Sequence, residues 1–193
     1  MSKIQDVINQ FESVLLKYNP NAYSTLSIGL PQKSVIDLLN ENNLFDQQLV
    51  DLYTWKNGYV HNEYQVGKDD ICAFGKLMPI EYSINIYKIN TRENIWNKTF
   101  FPIIAEGGGL YILYNINKKN KEGGALYIYA PSLLLSDIPQ GIYDSLEAFF
   151  LTQISCYENK KYIINNYNEL DIYYDLLSQV SHRINSNSEY WKE

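Results

Sequence analysis

The sequence has few of the residues that most often build reactive or covalently linked sites, with two cysteines and two histidines among 193 residues. Two cysteines are too few for a disulfide framework, which favours a reducing compartment such as the cytoplasm. Basic residues number 16 against 22 acidic ones, and the net charge of −6 argues against DNA or RNA as a ligand. No apolar run approaches the roughly 20 residues that cross a bilayer, and polar residues interrupt the first ten positions, so we expect neither a membrane span nor a secretory signal.

The apolar fraction is ordinary, at 46%, and it argues against wholesale disorder. A chain of this length can enclose one core, since cores grow to roughly 250 residues before chains tend to divide. We therefore expect residues 1–193 to form a single domain.

Helices are predicted in the first third of the chain. Apolar residues at i, i+3, i+4 and i+7 predict a helix over residues 4–18, which Asn19-Pro20-Asn21 ends because proline cannot continue the hydrogen-bond ladder. Leu30-Pro31 predicts the start of a second helix, and Asp46 predicts the N-cap of a third. Asn57-Gly58 is expected to close that third helix, since both residues tolerate the left-handed conformation of a C-cap.

The centre of the chain has short segments rich in aromatic and β-branched residues and bounded by glycine, a pattern that predicts strands. The predicted strands cover residues 100–105, 110–116 and 125–130, and a hairpin loop over 118–124 joins the last two. Three further helices are predicted. One covers residues 79–87, one starts after a variant capping box formed by Asp144 and Glu147, and one covers about 170–183. The expected fold class is α+β, with a central, mostly antiparallel sheet flanked by helices at both chain ends.

Few patterns point to catalysis. Gly107-Gly108-Gly109 leads into a strand and not into a helix N-terminus, so we expect a tight turn there and no phosphate-binding loop. Cys72 and Cys156 lack metal-ligand spacing and are interpreted as small hydrophobic residues. A catalytic or metal site would require four side chains to gather around one pocket, namely His61, Glu63, Asp69 and Asp70. We therefore expect no enzyme activity, no cofactor and no metal ion.

Charge is distributed unevenly along the chain. No lysine or arginine occurs between Lys33 and Lys56, whereas four acidic residues do, namely Asp37, Glu41, Asp46 and Asp51. Asp37 and Glu41 stand four residues apart and so share one face of the predicted second helix. Two interpretations remain open, a solvated acidic face and a docking surface for a basic protein whose approach the field would accelerate.

Several short motifs occur in a recognisable order. They are Leu30-Pro31, an aromatic-rich helix that contains Trp55 and leads into Asn57-Gly58, Phe101-Pro102-Ile103, a glycine-flanked strand over 107–113, Ser145-Leu146-Glu147 and Tyr190-Trp191. In this order and spacing the chain resembles the SUKH superfamily, which includes fungal cell-wall assembly regulators and bacterial immunity proteins. Each motif residue also has a structural explanation, since Trp55 would pack, Gly58 would cap a helix and Trp191 would hold the C-terminus. The signature therefore indicates a fold better than it indicates an active site.

The resemblance implies a function in protein binding. Bacterial members of the superfamily are similar to antidotes encoded beside polymorphic toxins, often nucleases or nucleic-acid deaminases, which they bind and block without a reaction of their own. On this basis we expect a non-catalytic immunity protein whose partner is a toxin domain with a basic cleft, contacted by the four acidic residues named above. The alternative is an intracellular regulatory scaffold that binds a non-toxin protein. The identity of the toxin, the oligomeric state and the role of residues 59–77 are not predicted.

Overall fold

The computed structural model describes residues 3–59, 68–117 and 123–192. The first third forms α1 (Lys3–Tyr18), α2 (Pro20–Ser24), β1 (Leu26–Ile28), α3 (Gln32–Glu41), α4 (Gln47–Trp55) and β2 (Lys56–Tyr59). The central part forms β3 (Lys76–Leu77), α5 (Ile80–Arg92), β4 (Phe100–Ala105), β5 (Tyr111–Asn115), β6 (Leu126–Tyr129) and α6 (Pro131–Leu134). The last part forms β7 (Gln140–Tyr143), α7 (Leu146–Glu158), β8 (Tyr162–Ile164), β9 (Leu170–Ile172) and α8 (Tyr174–Ile184).

The central sheet has the strand order β3-β4-β5-β6-β7, and every neighbouring pair is antiparallel. The α+β class, the three predicted strands and the β5–β6 hairpin are therefore confirmed, although loop residues 118–122 lie outside the described residues. Phe101 and Ile103 are buried, and the register with β5 shifts between Pro102 and Ile104. Because proline has no N–H to give to the ladder, this irregularity is where β4 accommodates it.

The core is built around α7. Nine of its residues are buried, and burial on all sides is typical of a helix enclosed by protein. Both α1 and α8 pack against it, and the ring centroids of Phe11 and Phe150 lie 5.2 Å apart. Trp55 packs as predicted, with its ring 6.0 Å from that of Phe150. Elements from the two ends of the chain therefore meet on one central helix.

The interpretation of Asn57-Gly58 as a helix C-cap is wrong. Helix α4 ends at Trp55, and the following residues form β2, which pairs with β1, a strand that periodicity did not predict. Gly58 has φ of +71°, and a Cβ at this position would lie 2.3 Å from the backbone N of Pro79. The Oδ1 atom of Asn57 accepts a hydrogen bond from the backbone N of Ile80 at 3.0 Å, at the start of α5. The two residues therefore join β2 to the beginning of α5.

Proline marks two helix starts in the first third of the chain. Helix α1 ends at Tyr18 as predicted, but Pro20 then begins the short helix α2, whose N-cap is Asn19. Pro31 occupies the N-cap position of α3, so the predicted second helix is confirmed. A proline next to a helix end can therefore stop one helix and start the next, because its missing N–H costs nothing in a first turn.

Two helix starts near the C-terminus differ from the prediction. The N-cap of α7 is Ser145, whose Oγ accepts a hydrogen bond from the backbone N of Ala148 at 3.0 Å. Asp144, the predicted cap, instead accepts a hydrogen bond from Nδ2 of Asn187 at 2.9 Å. The last helix begins at Tyr174, because residues 170–172 form β9 and pair with β8.

The segment after α8 covers the outer edge of β7. Trp191 is buried, and its Nε1 donates to the carbonyl oxygen of Ile142 at 2.6 Å, while Oγ of Ser188 donates to that of Gly141 at 2.9 Å. In the β6–β7 pairing, Gly141 and Tyr143 each have a partner residue on β6, whereas Ile142 between them has none. The indole therefore supplies a donor at a point where the ladder is irregular. An open sheet edge is a template for pairing with other chains, and this segment closes it. The prediction that Trp191 holds the C-terminus is confirmed.

Candidate functional site

Two of the four predicted contact residues, Asp37 and Glu41, are exposed, and both lie on α3. Their spacing of four residues places them on one face, a single turn apart. Val35 and Leu39, on the other side of the helix, are buried and hold α3 against the core. The two carboxylates therefore point away from the core, and we refer to Asp37 and Glu41 as the acidic face.

Asp46 does not belong to the acidic face, because it is buried. Only 3% of its surface is exposed, and its carboxylate accepts a hydrogen bond from the backbone N of Gln48 at 2.8 Å. This contact is the predicted N-cap of α4. Asp51 is half-buried and accepts a hydrogen bond from Nε2 of Gln47 at 3.0 Å. The structure thus divides the four acids into an exposed pair on α3 and two residues engaged within α4.

Lys56, the basic residue that follows the acidic stretch, forms its contacts with α1 and α2. The Nζ atom of Lys56 donates to Oη of Tyr23 at 3.0 Å, lies 4.2 Å above that ring, and stands 3.9 Å from the Glu12 carboxylate. These contacts fix the positive charge against α1 and α2. Within the described ranges, neither Asp37 nor Glu41 forms an ion pair. The negative field of the acidic face is therefore not neutralised by Lys56.

The four side chains that a catalytic or metal site would require are described only in part, since His61 and Glu63 lie outside the described residues. Asp69 pairs with Lys76, with 2.8 Å between the carboxylate and Nζ, and Asp70 is buried. In the part of the chain that the structure describes, no three His, Cys, Asp or Glu side chains are placed to hold a metal ion. Asp69 and Asp70 are therefore both engaged in the fold, the first through an ion pair and the second through burial.

Both cysteines are buried in the hydrophobic core and are free thiols. Burial raises the pKa of Cys156 to about 12, and burial likewise raises the pKa of Cys72. A nucleophilic cysteine needs the opposite shift, since the thiolate is the reactive form. The interpretation of both residues as small hydrophobic side chains is confirmed.

A groove that the sequence did not predict lies between the turn after β4, the start of α6 and the start of α8. It encloses about 310 Å³ and is lined by Phe74, Glu106, Leu133, Tyr174 and Tyr190, among others. Gly107-Gly108-Gly109 forms the predicted turn, with φ of +102° at Gly107 and +89° at Gly109. A Cβ on Gly108 would meet no atom within 4 Å, so the turn leaves the groove mouth open. This glycine run and Tyr190, of the Tyr190-Trp191 motif, are the sequence signals that lie at the groove.

The groove is acidic and aromatic. Burial raises the pKa of Tyr174, and the nearby carboxylates of Glu106 and Asp70 raise it further. Burial also raises the pKa of Tyr190, and Tyr174 contributes to that shift. Among the described residues, no lysine, arginine or histidine lines the groove. Its electrostatic environment therefore favours a positively charged group.

Exposed apolar side chains lie in α6 and in the segment between α6 and β7. The exposed fractions are 66% for Leu133, 91% for Leu135 and 73% for Ile138. Leu135 also has φ of +51°, in the left-handed region that a side chain of its size rarely adopts. Leu133 lines the groove and the other two follow it closely in sequence, and we refer to these three exposed residues as the apolar shoulder; exposed apolar side chains often mark interaction sites.

No protein-family model matches the chain, and no curated protein matches it significantly. Among the described residues, no helix combines the length and apolar character that crossing a membrane requires.

Proposed function

We propose that this chain is a non-catalytic protein-binding module that acts in the cytoplasm as an immunity protein. It would bind a toxin domain and cover the basic cleft with which that domain holds nucleic acid. The observation that carries the proposal is the acidic face, two exposed carboxylates on α3 that no described cation pairs with.

The physical argument is electrostatic mimicry. A nuclease or nucleic-acid deaminase needs a positively charged cleft, because its substrate carries a phosphate charge at every nucleotide. Carboxylates held at fixed positions on a helix can occupy part of such a cleft in place of phosphates. The net charge of −6 attracts a basic protein over several ångströms and accelerates the encounter.

The motif resemblance to the SUKH superfamily supports the same function, since its bacterial members are similar to toxin antidotes. The motif residues have packing roles in this chain, with Trp55 in the core and Trp191 on the sheet edge. They therefore specify the scaffold, while the acidic face supplies the contact chemistry.

The first experiment is rescue by co-expression. The toxin domain would be the C-terminal domain of a secreted protein encoded beside this chain, expressed with it in a bacterial host. We expect growth to be restored and a stable complex to be recovered on purification. Continued killing, with both proteins present and folded, would contradict the proposed function.

The second experiment tests the acidic face. The double variant Asp37→Lys, Glu41→Lys changes the net charge from −6 to −2, since each reversal adds two charges. We expect association with the toxin domain to slow by about tenfold and its dependence on salt to flatten, because steering is lost. Asp6→Lys with Glu93→Lys is the matched control, since both residues are exposed and lie on α1 and just after α5, and the ion pair of Glu93 with Arg92 is exposed and contributes little. Equal effects of the two double variants would assign the effect to net charge and not to the acidic face.

The alternative, a regulatory scaffold, would give a different result. Such a protein would bind a partner with a cellular role of its own, and it would rescue growth from no toxin. A basic partner would still be slowed by the charge reversal, so the rescue experiment decides between these two functions.

A further inference from the structure

The groove beside the Gly107–Gly109 turn differs from the acidic face in shape and chemistry. Its volume of about 310 Å³ lies at the lower limit of ligand pockets, which span roughly 300–1,000 Å³. A space of this size suits one long side chain better than a cofactor. It is also lined by residues just before β3, in the turn after β4, at the starts of α6 and α8 and after α8, whereas the acidic face lies on α3.

We propose that this groove is a second docking site and that it takes an arginine side chain of a protein partner. Glu106 would pair with the guanidinium, and the rings of Tyr174 and Tyr190 would provide its stacking surfaces. This second docking site depends on the proposed function in one respect only, namely that the partner is a protein.

The first argument is charge complementarity. Glu106 is half-buried, lines the groove and forms no ion pair among the described residues. A carboxylate in a partly desolvated aromatic site attracts a cation more strongly than one in open water. A planar guanidinium can bond such a carboxylate with two parallel N–H groups, which an ammonium cannot do.

The second argument is the rigidity of the aromatic walls. The ring of Trp191 lies 6.2 Å from that of Phe74 and 4.8 Å from that of Tyr190, and its own Nε1 is bonded to Ile142. Phe74 and Tyr190 are therefore held by a residue that is itself fixed on the sheet edge, whereas Tyr174, with 62% of its surface exposed, lies at the open side of the groove. A preformed aromatic wall favours guanidinium stacking, because little conformational entropy is lost on binding.

The third argument is the apolar shoulder of Leu133, Leu135 and Ile138. Interface anchors are typically arginine or aromatic side chains in a pocket, surrounded by apolar contacts that exclude water. The shoulder would provide those contacts for residues that flank the arginine. These exposed apolar side chains favour a protein segment over a free small cation as the occupant.

The test is a titration that needs no identified partner. The probes are acetyl-Leu-Arg-Leu-amide and its citrulline analogue, which has the same shape and no charge. Binding is followed by ¹⁵N–¹H chemical shifts of the amides in the Gly107–Gly109 turn. We expect saturable shifts with the arginine peptide and about tenfold weaker binding of the citrulline peptide, since charge-assisted bonds are the strong ones.

Variants locate the binding in the groove. Glu106→Gln should weaken the arginine peptide about tenfold and leave the citrulline peptide unchanged. Asp175→Asn is the matched control, since this exposed acid follows Tyr174 in sequence and does not line the groove, and it should change binding less than about twofold.

Three results would overturn the proposal. These are equal affinity for the two peptides, an unchanged affinity in Glu106→Gln, and equally tight binding of free arginine amide, which would make the groove a small-cation site. The charge reversal on α3 should leave peptide binding unchanged, so failure of this proposal and failure of the proposed function are distinguishable.

Discussion

The hydrogen bond from Trp191 to β7 provides a sharp test of the architecture, because the chain contains an internal reference for it. The perturbation is Trp191→Phe, which removes the indole N–H that donates to Ile142 at 2.6 Å. The reference is Trp96→Phe. Trp96 is also buried, but its Nε1 has no hydrogen-bond partner among the described residues. Both variants lose the same ring atoms, and only one of them loses a bond.

The expected difference in unfolding free energy between the two variants follows from this one hydrogen bond. Leaving a buried carbonyl oxygen without its donor costs about 1–3 kcal/mol of unfolding free energy. Ring contraction costs a similar amount at each site, since both indoles pack against other aromatic rings. Trp191→Phe should therefore be less stable than Trp96→Phe by about 1–3 kcal/mol, or roughly 2–4 °C in Tm per kcal/mol for a chain of this size.

The assay is urea unfolding followed by far-ultraviolet circular dichroism, which does not depend on tryptophan fluorescence. A larger midpoint shift for Trp191→Phe, at an unchanged m-value, is the expected result. Equal shifts for the two variants would refute the reasoning, because the edge hydrogen bond would then contribute nothing measurable.

Three further predictions follow from burial and backbone geometry. Gly58→Ala should destabilise the fold by several kcal/mol, because its Cβ would lie 2.3 Å from the backbone N of Pro79 and the residue has φ of +71°. Gly108→Ala is the control and should have almost no effect, since its Cβ would meet no atom within 4 Å. Similar urea midpoints for the two variants would contradict this prediction. Burial raises the pKa of Tyr53, so its contribution to stability is complete below about pH 10 and is lost as the pH rises further. Exposed tyrosines such as Tyr167 should ionise first in the native protein, and the last part of the rise in absorbance at 295 nm should coincide with the loss of far-ultraviolet circular dichroism; ionisation of all 18 tyrosines in a protein that keeps its native spectrum would be the contrary result. The two buried cysteines should resist a thiol reagent at pH 8 until urea unfolds the chain, since their raised pKa keeps them protonated; rapid labelling of the native protein would show that the core is accessible.

The parts of the fold that the sequence predicted are those with a local signal. The long helices α1, α3 and α7 have apolar periodicity or capping residues of their own, and the strands of the β4–β6 meander are bounded by glycine. The short strands β1, β2 and β9 have no such signal, because each depends on a partner strand. Asn57-Gly58 was misinterpreted for this reason, since its true neighbours are β1 and the start of α5.

The candidate site was predicted to a smaller extent. Asp37 and Glu41 were placed correctly on one exposed helix face, because helical spacing alone determines that. Asp46 was predicted both as an N-cap and as a contact residue, and the contact that makes it a cap buries it. The groove could not be predicted, because it joins Phe74, Glu106 and Tyr174 through tertiary packing that no local pattern reports.

The enclosure of α7 between α1 and α8 has a consequence for how the protein is made. Phe11 leaves the ribosome long before Phe150, yet the two rings contact each other in the finished core. Until α7 is synthesised, Phe11 can contact Trp55 of α4, but α1 lacks the helix against which most of its apolar side packs, and closing so long a loop slows folding. The nascent chain therefore depends on a late step, and chaperone demand during synthesis should fall only once α7 has emerged.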